Sequence, residues 1–320
     1  MKSSKMFTFL CAVVAVATAG HTAGAQNSSD MTGAPFSLVA PACTVTAGVV
    51  TAPSAGSNCH QQPDIQTITL YKVVLCSAKP TAPKANAATD ISACKSIFQK
   101  DAGQAITVSK TATTPLDSAS THRPDNATYS YVYVEASDTM LIKGKATFNK
   151  SMGDSNGLTT GSTCWSVALT GGFFNWSNNT QGSMPLATKC GTATDATYAS
   201  TTVIWNSFDG ASFVNAITNL PLSNGGTTAV TNSVDAFLLS STGFLATPTG
   251  AAVNLPNGVA RLGAIMKLPT AVTVSDATAG FTLSYNNSLG TQISTQTLRN
   301  AVQNVSKFGS GPFDMTFTLR

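Results

Sequence analysis

Apolar and polar residues alternate in short runs along most of this chain, and a period of two is the mark of a half-buried strand. The longest run is IQTITLYKVVLC over 65–76, apolar on both faces near its centre, which predicts a strand buried within a sheet. Residues 77–92 carry Pro80, Pro83 and many alanines and read as a loop. Short strands are predicted at 94–98 and 105–108, then another loop over 111–128 with Pro115 and Pro124. The clearest alternation lies in 129–148. Tyr129, Tyr131 and Tyr133 fall on one face, and Val132 and Val134 on the other. Ser137-Asp138 breaks the run before Met140-Leu141-Ile142 resumes it, which predicts a hairpin. We read the tyrosine row as a sheet face with hydroxyls toward water, the alternative being a binding face.

Residues 153–161 are rich in Gly, Ser and Thr and mark a boundary between an N-terminal β-sandwich over 26–150 and a C-terminal β-rich part over 151–320. Further strands are predicted at 164–169, 172–176, 201–205, 234–239, 259–267, 271–274 and 280–285. Short strands at such spacing suggest a sandwich or a barrel. One segment breaks the pattern. Leu298, Ala301, Val302 and Val305 recur at helical spacing, so a short helix is predicted near 295–306, capped by Ser294 or Thr295. Phe313, Met315, Phe317 and Leu319 alternate strictly and predict a last strand paired inside a sheet.

The first residues set the compartment. Lys2 and Lys5 precede an apolar run (MFTFLCAVVAVATAG) and Ala23-Gly24-Ala25, the pattern of a cleaved signal peptide over 1–25. The run is shorter than the roughly 20 apolar residues of a membrane span. Six of the seven cysteines lie beyond it: Cys43, Cys59, Cys76, Cys94, Cys164 and Cys190. An even number in an exported chain reads as a disulfide framework, and pairing of neighbours is expected: Cys43–Cys59, Cys76–Cys94 and Cys164–Cys190. Only 10% of residues are charged, against roughly 25% in an average soluble protein. The formal charge of +4 includes Lys2 and Lys5, so the basic pI of 8.7 reflects a small excess and no Lys/Arg cluster. That excludes nucleic acid as a partner.

ITLYKVVLC over 68–76, Cys94 with Ile97-Phe98, and YSYVYVEASDTMLIKGKATF over 129–148 resemble secreted bacterial proteins with an N-terminal immunoglobulin-like or transthyretin-like sandwich. In those, a strand ending in cysteine leads into a disulfide-closed loop, and a later aromatic, valine-rich strand precedes an apolar strand ending in lysine and glycine. The resemblance spans about residues 65–148. It implies an exported β-sandwich and transfers no catalytic residues. The expected fold class is all-β: antiparallel sandwiches, immunoglobulin-like or jelly-roll-like, with one short helix.

Candidate chemistry is sparse. Gly153-Asp154-Ser155-Asn156-Gly157 matches the G-x-S-x-G elbow of serine hydrolases, but no histidine follows His122 to act as base, so we read a turn. His60 and His122, with Asp64 or Asp125, are candidate metal ligands that we read as solvated loop residues. Asp154-x-Asn156-Gly157 has a fragment of calcium-loop character without the closing Glu. Glu135 is the only glutamate, so a carboxylate pair for glycoside hydrolysis is hard to assemble. Trp165, Trp176 and Trp205 would stack on sugars if exposed, although aromatics in strands are by default core. Sequons at Asn126, Asn149, Asn175, Asn178, Asn286 and Asn304 fit a chain rich in Asn, Ser and Thr. No catalytic, cofactor or metal site is expected. The leading expectation is an exported structural or adhesive protein, extracellular, on the cell surface or in the periplasm. It would assemble with itself or other surface proteins by strand addition. The alternatives are a carbohydrate-binding module and an outer-membrane β-barrel.

Overall fold

The computed structural model describes residues 42–109, 115–116, 118–168, 187–205, 214–221, 233–247, 258–297, 303–310 and 314–319. Residues 1–41, with the predicted signal peptide, and Trp176 with the strand predicted at 172–176 lie outside them. Val45–Thr46 (β1) and Val49–Val50 (β2) form a two-residue hairpin. Its turn residues Ala47 and Gly48 both have positive φ (50° and 79°), as a turn matching the twist of the flanking strands requires. Asn58–Gln61 is β3, and Ile65–Cys76 is β4, as expected from its alternation. The two short strands expected next are one strand, Cys94–Ser109 (β5), which passes through Gly103 at φ 74°. A Cβ at Gly103 would lie 2.8 Å from the Tyr71 ring, so glycine is needed for space as well as φ.

The predicted hairpin in 129–148 is instead one long strand, Ala127–Lys143 (β6), followed by Lys145–Gly153 (β7). Thr160–Ser166 (β8), Thr188–Gly191 (β9) and Thr201–Ile204 (β10) follow. Then come Ala216–Pro221 (β11), Ser233–Leu239 (β12), Arg261–Val274 (β13) and Phe281–Asn286 (β14). The last three are Thr291–Thr297 (β15), Gln303–Ser310 (β16) and Asp314–Leu319 (β17). Ser137-Asp138 does not turn the chain back. Residues before it pair with β13 and residues after it with β10, so the polar pair marks a change of partner. The predicted helix is corrected at both its ends, while Leu298, Ala301 and Val302 lie outside the described residues. Thr295–Thr297 belongs to β15 and Gln303–Ser306 to β16. Ser, Thr and Asn are poor helix formers, and burial of Ile293, Val305 and Phe308 against the core outweighs the weak helical spacing.

β1-β2-β7-β16-β15-β3 form one sheet, extended by β8 and β9 beside β7. β11-β12-β13-β6-β4-β5 form the other, with β10 beside β6. Strands from before and after residue 150 share both sheets, so 153–161 is the β7–β8 turn inside a sheet rather than a linker. The two sheets enclose one apolar core. β4 and β6 supply Ile68, Leu70, Leu75, Val132, Val134 and Met140, and the other sheet supplies Phe148, Met152, Ile293, Val305 and Phe308. The molecule is thus an all-β sandwich, as expected.

A second, smaller cluster lies on the other face of the seven-stranded sheet. It comprises Val74, Cys76, Tyr133, Phe237, Leu239 and Ile265. The loop between Cys76 and Cys94 reaches over to the β12 end, where Leu245 N donates to Lys84 O at 3.0 Å and Ala88 bridges Phe244. All three disulfides pair neighbouring cysteines: Cys43–Cys59, Cys76–Cys94 and Cys164–Cys190. Such usage belongs to an oxidising compartment. Among the described residues no helix is long and apolar enough to cross a membrane.

Candidate functional site

β15 is flanked on both sides, by β3 and by β16, and all of Thr291 to Gln296 is buried. Period two sends Ile293 into the sandwich core and sets Gln292, Ser294 and Gln296 on the opposite face of the strand. Register then builds a polar field on that face. Gln292 lies between His60 of β3 and Gly309 of β16, Ser294 lies between Asn58 and Lys307, and Gln296 lies opposite Asn304. His60 (2% exposed), Gln292 (0%) and Asn304 (0%) are all buried. Gly309 leaves room here, since a Cβ would sit 3.3 Å from Gln292 Oε1 and 3.6 Å from Lys307 Cε. Desolvation pulls the Lys307 ammonium down to about 8 from its ordinary 10.5, although the residue as a whole is only half-buried. Among the described residues Gln292 Nε2 and Oε1, Ser294 Oγ and Asn304 Oδ1 find no hydrogen-bond partner. Buried amides in that state are costly, which sets this face apart as a polar part of the interior.

The G-D-S-N-G turn closes one end of this field. Asn304 Nδ2 donates to Asp154 O at 3.1 Å. The Asp154 carboxylate accepts from Leu158 N (2.9 Å) and Thr159 N (3.0 Å). Ser155 is 0% exposed, and its hydroxyl accepts from Ala187 N (2.9 Å) and Thr188 N (3.3 Å). The serine is therefore a structural acceptor, and the carboxylate is engaged by its own turn. The expectation of solvated histidines holds for exposed His122 but not for His60, which β3 carries into the interior. Among the described residues no group of three His, Cys, Asp or Glu is placed to hold a metal ion.

Glu135 anchors a separate network on the outer face of the seven-stranded sheet. Its carboxylate meets Lys72 Nζ at 3.2 Å and Arg261 Nη1 at 3.0 Å, and it accepts from Tyr133 Oη at 3.0 Å. Thr89, from the Cys76–Cys94 loop, donates to Tyr133 Oη at 3.2 Å, and the Arg261 guanidinium lies 4.3 Å above the Tyr71 ring. Burial, then the neighbouring carboxylate, pushes the Tyr133 hydroxyl far up. With both carboxylate oxygens committed to cations, Glu135 ties β4, β6 and β13 together, and Tyr133 carries the network on to the loop.

The aromatic candidates are displaced. Trp165 is 2% exposed and donates Nε1–H to Thr197 Oγ1, and Trp205 is 0% exposed within the core, so neither offers a stacking surface. The tyrosine row is split. Irregular register between Tyr129 and Tyr131 puts Tyr129 in the inter-sheet core, where its hydroxyl donates to Asp125 O, while Tyr133 lies in the outer cluster. Asn304, a predicted sequon, is buried. Sequence reasoning missed Gln292, Ser294, Gln296 and Lys307. The period-two pattern TQISTQT over 291–297 carries a strand signal that the helical spacing of 298–305 overlaps. No family model, curated protein or solved structure matches the chain.

Proposed function

We propose that this chain is an exported, non-enzymatic structural or adhesive protein, acting outside the cell or at its surface, that associates with copies of itself or other surface proteins by β-strand addition. The observation that carries the reading is the open form of both large sheets. Among the described residues each ends in margin strands, β1, β3 and β9 in one and β11 and β5 in the other, with only single bridges from Ala42 to β3 and from Thr121 to β5 along their outer sides. Margin strands are templates for further pairing unless they are blocked, and charge is the commonest block. At 10% charged residues this chain has little like-charge repulsion to keep copies apart. The open margins also favour this reading over a membrane barrel, which has no edges. A carbohydrate-binding module loses its two described platforms, because Trp165 and Trp205 are buried.

The test is negative-stain electron microscopy of residues 26–320 in detergent-free buffer, beside size-exclusion chromatography. Regular fibres, sheets or discrete oligomers are expected. A dispersed monomer across the concentration range, with no binding to the producing cell's surface, overturns the reading.

A further inference from the structure

β14 and β17 pair with each other over six residue pairs and, among the described residues, with no other strand. β14 is fixed at both ends. Its entry from β13 is held by Arg123, which donates to Thr278 O at 3.0 Å and Ser275 O at 2.6 Å, while Asn126 bonds Asp276. Phe281, its first residue, packs on the sandwich core. Its exit into β15 is a tight turn in which Gly290 N donates to Asn287 O at 2.8 Å. A Cβ at Gly290 would lie 2.5 Å from Gln66 Oε1, so this turn fits closely against β4. β17 follows β16 in the chain. β14 thus issues from a strand of the seven-stranded sheet, and β17 from a strand of the eight-stranded one.

The register of the ladder is selective. Positions 281, 283 and 285 (Phe, Leu, Tyr) face positions 319, 317 and 315 (Leu, Phe, Met). Positions 282, 284 and 286 (Thr, Ser, Asn) face 318, 316 and 314 (Thr, Thr, Asp). Apolar pairs and polar pairs therefore alternate along the ladder, and a slip of one residue would set apolar against polar positions throughout. A second copy carries the same β17, so every feature by which β14 selects its partner within the chain is offered equally by a neighbour. A two-stranded ribbon is also marginal by itself in water, which keeps the release of β17 accessible.

We infer that β17 is an exchangeable strand: β17 of one copy pairs with β14 of a second copy, in the same register, and so links chains. The inference rests on the self-association proposed above and names the segment responsible. Reciprocal exchange closes a two-fold dimer, whereas one-way exchange from copy to copy builds an open chain.

Two single-cysteine proteins test this, one with Leu283→Cys and one with Phe317→Cys, which are paired positions in the ladder. They are mixed at high concentration, equilibrated and oxidised gently, and the products are read by non-reducing gel and peptide mass spectrometry. The expected product has twice the chain mass and contains a 283–317 cross-link. A mixture of Thr282→Cys with Phe317→Cys, which are not paired in the ladder, should give at least tenfold less. The Leu283→Cys/Phe317→Cys double variant at high dilution should cross-link within one chain, and once locked it should no longer assemble. Exchange is overturned if the double variant fails to cross-link, if it links internally while the mixture yields no joined pair, or if the locked chain assembles as the unmodified one does. In that last case the surface-subunit reading survives and only its mechanism fails. Absence of any assembly by the unmodified chain would remove both.

Discussion

Asp154 is 1% exposed, and its two carboxylate oxygens take the amides of Leu158 and Thr159 while its own carbonyl accepts from Asn304. Asp154→Ala removes the acceptor of the part-buried Thr159 N–H and one of the two acceptors of Leu158 N–H, which also reaches Asn156 Oδ1, and we expect a loss of about 1–3 kcal/mol in urea denaturation. A change within error would mean that the turn finds other acceptors. Lys307 makes a prediction of a different kind. Its folded pKa of about 8 lies below the ordinary 10.5. Between those values the unfolded chain binds a proton that the folded chain has released, so stability rises with pH across that window. Below about pH 8 both states are protonated and the deficit is constant. Lys307→Met should therefore raise stability at pH 7 and flatten the difference between pH 7 and pH 10. An identical pH slope in variant and parent would show that Lys307 does not set it. Of these residues the sequence revealed Asp154 as part of a turn, because Gly, Asp, Ser and Asn are turn formers wherever they fall. Nothing local marked Lys307, whose environment is made by Ser294 and Gln292 of the adjacent strand.

Among the elements, the Cys76–Cys94 loop spans 18 positions and passes over the outer cluster, with Thr89 bonded to Tyr133 beneath it. Replacing both cysteines by serine should cost roughly 3 kcal/mol in the chain-entropy picture. It should also uncover Val74, Phe237 and Leu239, so that the variant binds more of an environment-sensitive dye while its far-ultraviolet circular dichroism stays β-type. An unchanged dye signal would mean that the loop stays seated without its tie. Strands whose partners flank them on both sides along their whole length were readable in advance, as β4 was, because burial on both faces imposes a continuous apolar run. β6 was not read whole, since its polar bend at Ser137-Asp138 serves an exchange of neighbours that no local pattern encodes. β15 and β16 were missed for a related reason. Their buried residues are largely Gln, Ser, Thr and Asn, which resemble solvated positions until the register places them inside.

For the molecule as a whole, the interleaving of early and late strands predicts that neither half stands alone. A fragment of residues 26–150 keeps β4, β5 and β6 but lacks β13, which pairs with β6, and β16, which lies in the sheet of β7. It should show no cooperative thermal transition and should aggregate, and a well-dispersed amide spectrum by NMR would refute that. The same interleaving fixes a delay. The Glu135–Arg261 ion pair, which sits where β6 meets β13, joins residues 126 positions apart. At about 5–20 residues per second, β6 waits roughly 6–25 s after its own emergence before β13 exists to cover it. For that interval Val132, Val134 and Ala136 stand on a strand with one open margin, so the nascent chain is at its most adhesive before it is complete. A holdase that binds extended apolar segments would therefore matter most for this chain in those seconds, and its benefit should fall as synthesis is sped up.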